Sequence, residues 1–339
     1  MKELLARLTA LNSPAGREEA VREALWAELS GLGLELEVDA LGNLIAHKRG
    51  TGPKLMLAAH MDEIGVIVSE IDEHGFLRFM TVGGVPGGWQ LNGERVAFEG
   101  GVVGVIGKEK VEEVKETKHS RLFIDIGAKS REEAAARVRV GSLGCFTRCF
   151  ADLGARVVGK ALDDRIGCAL LVDLARHLGE LPAPLAYDLY LVFTAQEEVG
   201  ERGAATAAFR IAPDLAVAID VTPAFDTPEP AFHSVIALGA GPAVKVMDKG
   251  LIVNPKVREW MVGSAERAGI PHQLEVLEQG ATDGKTISVS REGVPTGVLS
   301  VPCRYVHTPS EMIDWQDVEH SARLLRSLVS TAYPGNCSQ

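Results

Sequence analysis

Four short, unbroken apolar runs constrain the fold of this chain more than any other feature. They cover residues 54–59, 189–193, 215–219 and 296–301. None alternates between polar and apolar residues, so each is typical of a strand that is buried on both faces. Stretches with helical apolar spacing, such as 164–178 and 255–268, separate several of these runs. The pattern predicts an α/β fold, in which helices cover both faces of a sheet.

The stretch from 66 to 156 has a different pattern. Short β-like runs occur at 66–68, 76–80, 102–106 and 122–126. Gly-rich turns such as 83–88 separate these runs, an arrangement typical of a small barrel or sandwich. One short helix is predicted after Ser130, because Ser130 and Glu133 form a capping box. This stretch is therefore predicted to be a β-rich unit inserted into the α/β fold.

The length of the chain agrees with such an insertion. At 339 residues it is long for one hydrophobic core, since cores stop growing near roughly 250–300 residues. We predict a catalytic α/β domain at 1–65 and 157–339, interrupted by an inserted domain at 66–156. The densely charged residues 108–118 are expected to form a solvated loop, and residues 335–339 a frayed tail.

The charge balance indicates which partners are disfavoured, and the cysteines indicate the cellular compartment. The chain has 46 acidic and 35 basic residues and a formal net charge of -11, which disfavours nucleic acid as a partner. No run of about 18 apolar residues predicts a membrane span. The start of the chain reads as an amphipathic helix and not as a signal peptide, and five scattered cysteines are typical of reduced thiols. We expect a cytosolic protein that binds neither nucleic acid nor membrane.

Polar side chains follow each of the four apolar runs or lie close before a helix. These residues are His60 and Asp62, Asp163 and Asp164, Glu197 and Glu198, Asp220, and His307. Each alone has an ordinary explanation, such as a helix cap or a solvated surface. Together they are harder to dismiss, since ligands bind at the carboxyl ends of strands in an open α/β sheet. Imidazole and carboxylate donors suit divalent zinc, cobalt or manganese.

The spacing of these residues is compatible with a pair of metals. Two metals roughly 3.5–4 Å apart can polarise a carbonyl and activate a shared water. Adjacent Glu197 and Glu198 can divide the work, one binding metal while the other takes a proton from the water. In an extended segment, residues two apart share a side, so Asp62 can accept a hydrogen bond from the far nitrogen of His60.

Five sequence blocks closely resemble the M42 family of metallo-aminopeptidases, which includes the large tetrahedral aminopeptidases. They are AAHMDEIG at 58–65, ALDDRIG at 161–167, TAQEEVG at 194–200, IDVT at 219–222 and RYVH at 304–307. The blocks stand in the family's order and extend over nearly the whole chain. The resemblance implies a phosphorylase/hydrolase-like α/β domain with an inserted, β-barrel-like dimerisation domain.

The resemblance also implies which residues bind metal. His60, Asp163 and Asp220 would hold one divalent ion. Asp163, Glu198 and His307 would hold the other, with Asp163 bridging the two. The cofactor would then be two divalent metal ions per subunit, with zinc expected first and cobalt or manganese as alternatives.

The remaining roles follow from the same resemblance. A metal-bridged water would be the nucleophile, Glu197 the general base and then the acid to the leaving amine, and Asp62 would orient His60. Thr282 and Asp283 are expected near the substrate. Lys285 departs from the family's pattern, and it either attracts an acidic substrate side chain or is a surface residue. The substrates would be short peptides, and the subunits would associate as dimers and further as dodecamers.

Three other functions remain open from the sequence. The first is an endoglucanase-type glycosidase, which needs two carboxylates beside a sugar bond and leaves the two histidines unexplained. The second is a deacylase that hydrolyses a non-peptide amide on the same fold. The third is an oligomeric scaffold without catalytic activity. Loss of activity with a chelator, and recovery with zinc or cobalt, separates the metal enzyme from the glycosidase.

Overall fold

The computed structural model describes residues 1–110, 118–180, 185–229 and 235–335. Most of the charged stretch predicted to form a loop and all but the first residue of the predicted tail lie outside these ranges. The helices are α1 (Lys2–Ala10), α2 (Glu19–Leu29), α3 (Arg131–Ala135), α4 (Leu162–His177), α5 (Arg202–Ile211), α6 (Pro255–Arg267), α7 (Asp283–Ser288) and α8 (Trp315–Ser330). Within the described ranges, no helix combines the length and the apolarity needed to cross a bilayer.

The strands form one large mixed sheet and one closed barrel. The sheet strands are β1 (Glu35–Val38), β2 (Leu44–Lys48), β3 (Lys54–His60), β10 (Ala151–Asp152), β11 (Arg156–Gly159), β12 (Asp188–Thr194), β13 (Leu215–Pro223), β14 (Ala243–Met247), β15 (Gln273–Val276), β16 (Thr296–Arg304) and β17 (Glu311–Asp314). The barrel strands are β4 (Gly65–Ile71), β5 (Leu77–Val82), β6 (Arg95–Phe98), β7 (Val103–Lys108), β8 (Leu122–Asp125) and β9 (Leu143–Phe146).

The four predicted buried runs are neighbouring strands at the centre of the sheet. They lie in the order β12-β3-β13-β16, and each pair of neighbours is parallel. Their carboxyl ends therefore meet at one edge, which is where the polar residues follow them in the sequence. The sheet continues on one side through β2 and β1, and on the other through β17, β11 and β10.

Helices cover both faces of the sheet, as predicted. On one face, α1, α2, α4, α6 and α8 pack on a core that includes Leu55 and Leu57 of β3. On the other face, small residues of α5 such as Ala204 and Ala207 pack close to Met56 and Ala58 of the same strand. Because side chains alternate along a strand, His60 lies on the face covered by α5 and α7.

The β-rich stretch closes into a six-stranded barrel in the order β4-β5-β8-β7-β6-β9. Its interior holds a separate apolar core that includes Val66, Leu77 and Ile124. Ser130 caps α3, because Glu133 N donates to Ser130 Oγ, while Glu133 Oε2 accepts from Lys129 N, one residue before the donor that a capping box uses. The fold-class prediction is thus confirmed, while the domain boundaries and the role of the barrel in dimerisation stay predictions.

Candidate active site

The carboxyl edge of the central strands forms the wall of a cavity of about 730 Å³. His60 ends β3, Asp220 lies near the end of β13, and His307 follows β16. The lining includes six residues predicted from the sequence as ligands or as the general base: His60, Asp163, Glu197, Glu198, Asp220 and His307. Residues up to 247 positions apart in the chain thus meet at one site, as the parallel order of the strands requires.

Asp163 lies between the two histidines. His60 Nε2 is 3.0 Å from Asp163 Oδ1 and 4.0 Å from Asp220 Oδ1. His307 Nε2 is 3.4 Å from Asp163 Oδ2 and 3.5 Å from Glu198 Oε2. Each carboxylate oxygen of Asp163 therefore faces a different imidazole, which is the arrangement that a bridging carboxylate needs.

The donor atoms are close enough together to hold cations. One atom each of His60, Asp163 and Glu198 lie within 4.8 Å of one another, and so do atoms of His60, Asp164 and Asp220. Nitrogen and oxygen donors of this type fit borderline divalent metals. Asp164, which was not predicted as a ligand, accepts hydrogen bonds from His60 N at 3.2 Å and Gly167 N at 3.0 Å.

Hydrogen bonds at the far nitrogens fix the orientation of both imidazoles. His60 Nδ1 is 3.1 Å from the carbonyl oxygen of Asp62 and 3.6 Å from its Oδ1. His307 Nδ1 is 2.9 Å from the carbonyl oxygen of Gly84. A carbonyl can only accept, so Nδ1 donates in each case and directs Nε2 at the carboxylates, where a bound metal would take the place of the Nε2 proton.

The carboxylate of Asp62 holds the two adjacent glutamates. Its Oδ1 accepts from Glu197 N at 2.9 Å, and its Oδ2 accepts from Glu198 N at 3.1 Å. The sequence predicts contact between Asp62 and His60 but gives no sign of these two bonds. Asp62 thus positions the predicted base and one predicted ligand at once.

Two further groups at the site were missed by sequence analysis. Glu311 is buried, and its two oxygens accept from Asp163 N and His307 N, each at 3.0 Å. Gly84 comes from the turn after barrel strand β5, and a Cβ there would lie 2.6 Å from His307 Nδ1. Glycine is therefore required for this close approach. In the sequence, the only sign of this role for Glu311 is that an acidic residue follows the RYVH block.

Burial and mutual repulsion dominate the electrostatics of the site. Burial raises the pKa of Glu197 and Asp220 well above their ordinary values, and that of Glu198 to about 7. Burial opposes a charge on His307 too, but the hydrogen bond to Asp163 and the nearby Glu198 raise its pKa to about 10. Because these carboxylates are buried close together, ionising all of them would cause strong repulsion. Bound cations would offset that repulsion.

Several non-glycine residues around the site have left-handed backbone conformations. The φ angle is 51° at Ala161, 58° at Gln196, 47° at Glu201, 60° at Tyr305 and 62° at His307. Such conformations are costly for residues with a Cβ and persist where the surroundings enforce them. Each of these residues is a predicted ligand or lies within four positions of a residue predicted as a ligand or base.

Of the two residues predicted near the substrate, Thr282 is part of the cavity lining and Asp283 is not. Thr282 lines the cavity and its Oγ1 caps α7 by accepting from Gly284 N. Asp283 is buried, and its Oδ2 accepts from Thr194 Oγ1 at 2.6 Å. Burial raises the pKa of Asp283 to about 7. Lys285 Nζ lies 3.0 Å from Oε2 of Glu201, so its charge is engaged by a carboxylate of the wall.

Comparisons with known proteins show the family to which this chain belongs. The profile of the M42 glutamyl aminopeptidases matches residues 42–324. A putative aminopeptidase of Acetivibrio thermocellus is 46% identical over 326 residues, which cover 96% of this chain and 97% of that protein.

Solved structures agree as well. The aminopeptidase APDkam598 of the archaeon Desulfurococcus kamchatkensis has a TM-score of 0.91 at 40% identity, over 98% of this chain and 95% of that one. The TET1 peptidase of Pyrococcus horikoshii, which can assemble into a tetrahedron or a large octahedral shell, has a TM-score of 0.86 at 32% identity, over 97% and 98% of the two chains. The chain therefore belongs to the M42 family of aminopeptidases and is a peptide-bond hydrolase.

Proposed function

We propose that this aminopeptidase uses two divalent metal ions to remove the N-terminal residue of short peptides. The observation that carries the proposal is the convergence of five donor side chains on one cavity wall. His60, Asp163 and Asp220 would hold one ion, and Asp163, Glu198 and His307 the other. When bound, such ions polarise the scissile carbonyl and lower the pKa of a water between them.

The protein's own part in the reaction centres on Glu197. This residue lines the cavity beside the donors, and the two proposed ligand sets leave it free. We assign it the proton transfers: its carboxylate takes a proton from the attacking water and then gives it to the leaving amine. The bond from Glu197 N to Asp62 Oδ1 fixes the backbone that carries this side chain.

We further propose that the chain works in the cytosol as an oligomer, either a dimer built through the barrel or a dodecamer assembled from such dimers. The assemblies formed by the Pyrococcus horikoshii peptidase support this proposal. Light scattering coupled to size-exclusion chromatography distinguishes the two assemblies from each other and from a monomer.

Removal of metal is expected to abolish peptide cleavage. Dialysis against a chelator should lower kcat/KM on aminoacyl chromogenic substrates by at least about 100-fold, because metal polarisation contributes several kcal/mol to the transition state. Addition of zinc, cobalt or manganese should restore it. The stability of the fold is expected to fall together with activity, since the buried carboxylates would repel one another.

The same protein, assayed on a soluble cellulose derivative, tests the glycosidase alternative. A two-carboxylate glycosidase needs no metal, so it would retain its activity in the chelator. Undiminished peptide cleavage by protein shown by elemental analysis to hold no metal would contradict the proposed mechanism.

A further inference from the structure

The turn after β12, residues 195–198, carries the proposed base and one proposed ligand. Each of its four backbone N–H groups donates to a side chain from another segment of the chain. These bonds join residue 195 to Asn43 Oδ1 at 2.9 Å, residue 196 to Glu18 Oε1 at 3.1 Å, residue 197 to Asp62 Oδ1 at 2.9 Å and residue 198 to Asp62 Oδ2 at 3.1 Å. Three side chains therefore fix four consecutive residues of this turn.

Glu18 lies far from the other site residues in the sequence. It directly precedes α2 and is only 3% exposed. An acidic residue that precedes a helix commonly caps it, but the side chain of Glu18 makes no capping hydrogen bond to α2. Its Oε1 accepts instead from Gly16 N at 2.6 Å and from Gln196 N at 3.1 Å. One carboxylate oxygen thus joins the segment before α2 to the turn that carries the base.

The bond to Gln196 lies where the backbone of the turn is unusual. Gln196 has a φ angle of 58°, a left-handed conformation that is costly for a residue with a Cβ and persists where the surroundings enforce it. Glu197 comes directly after this residue, so a change in the backbone of Gln196 would move the side chain of Glu197. Glu18 is the side-chain acceptor for the N–H group of the left-handed residue itself.

The charge of Glu18 makes its buried position costly. It makes no ion pair among the described residues, and a buried carboxylate without a cation stabilises a fold poorly. Burial raises the pKa of Glu18, the bond from Gly16 N lowers it, and the nearby charge of Asp62 raises it again. An apolar side chain would avoid these costs. What the carboxylate supplies, and an apolar side chain cannot, is an acceptor for the N–H group of Gln196.

On the basis of the proposed aminopeptidase function, we propose that Glu18 is a positioning residue for the base Glu197. Together with Asp62, it holds the backbone of the turn so that the carboxylate of Glu197 faces the metal donors. Glu18 is not part of the cavity lining, so it would act on the reaction only through the turn.

The test replaces the acceptor and measures turnover of a leucine chromogenic amide by the metal-loaded enzyme. In Glu18→Met, kcat should fall by at least about tenfold, because a displacement of about 1 Å can cost about 100-fold in rate. KM should change by less than about twofold, since Glu18 does not line the cavity. Metal content, measured by elemental analysis, should equal that of the original enzyme.

Two further variants serve as controls. Glu18→Gln keeps an oxygen that can accept from Gly16 N and Gln196 N, so its kcat should stay within about threefold of the original value. Glu23→Met removes an exposed glutamate of α2 and should leave kcat unchanged. If Glu18→Met does not fold, Glu18→Ala takes its place in the same comparison.

A double variant shows whether Glu18 acts through Glu197. In the Glu197→Gln background there is no base left to position, so Glu18→Met should lower the residual kcat by less than about twofold. A general distortion of the site would lower kcat by the same factor in both backgrounds.

Three results overturn this inference while the proposed function stands: unchanged kcat in Glu18→Met, an equal loss in both backgrounds, or a loss in Glu18→Gln as large as in Glu18→Met. A fall in metal content with Glu18→Met also overturns it, because Glu18 would then support the metal ligands and not the base. An original enzyme that cleaves no aminoacyl substrate with any metal overturns the proposed function and this inference with it.

Discussion

Replacement of Glu197 by glutamine is expected to abolish turnover while metal binding is retained. General acid–base catalysis contributes about 10²–10⁴-fold to rate, so kcat should fall by about that factor. The amide keeps the shape of the side chain and the backbone bond to Asp62 but can neither accept nor return the proton. Because the proposed ligand sets do not include Glu197, the variant should bind as much metal as the original enzyme.

Steady-state kinetics and elemental analysis of the same sample decide this prediction. KM should change little, because the lost interaction belongs to the transition state. Glu259→Gln is a suitable control, since Glu259 is exposed on α6 and its replacement should leave kcat unaltered. Full turnover by Glu197→Gln with unchanged metal content would remove Glu197 from the mechanism.

The sequence predicts the arrangement of the catalytic sheet well, for a physical reason. Strands buried on both faces need apolar side chains at every position, so their signal does not depend on distant residues. Parallel neighbours bring their carboxyl ends to one edge, so residues such as His60 and Asp220 can be expected together without knowledge of the strand order. The five blocks of family resemblance then give roles that composition and periodicity cannot supply.

The parts of the site that the sequence did not predict depend on contacts between distant segments. Gly84 reaches His307 only because the barrel lies against the edge of the sheet, and its glycine resembles any other turn glycine in the sequence. Glu311 follows no apolar run and holds Asp163 through a backbone bond, which no side-chain pattern reveals.

Removal of one charge from the buried ion cluster of Lys160, Glu63 and Arg165 is expected to lower the stability of the fold strongly. Lys160 Nζ lies 2.7 Å from both carboxylate oxygens of Glu63, and an Arg165 nitrogen lies 3.1 Å from one of them. Arg165 also donates to the carbonyl oxygens of Met61 at 2.8 Å and Leu8 at 2.6 Å. Burial disfavours ionised Glu63, but Lys160 and Arg165 lower its pKa below the ordinary value. The cluster thus joins α1, the turn after β3 and the start of α4.

Arg165→Met is therefore expected to lower the free energy of unfolding by roughly 3–5 kcal/mol, as for other broken buried pairs. The variant removes the hydrogen bonds that Arg165 donates to two buried carbonyls and leaves Glu63 with one cation instead of two. Denaturant and thermal unfolding of the metal-loaded enzyme measure the loss. Arg267→Met should change stability by no more than about 0.5 kcal/mol, because Arg267 is exposed and, among the described residues, its side chain donates to Ser264 Oγ alone.

A double-mutant cycle separates the ion pair from the carbonyl bonds of Arg165. Glu63→Gln alone leaves Lys160 and Arg165 buried without a carboxylate, and Arg165→Met alone leaves Glu63 undercompensated. The double variant removes one charge of each sign, so it should be less destabilised than the sum of the two single variants, by about 0.5–3 kcal/mol. Strict additivity would contradict the ion pair as the source of stability. The cost of Arg165→Met would then lie in the bonds to Met61 and Leu8, and the turn that carries His60 and Asp62 would be held by backbone hydrogen bonding.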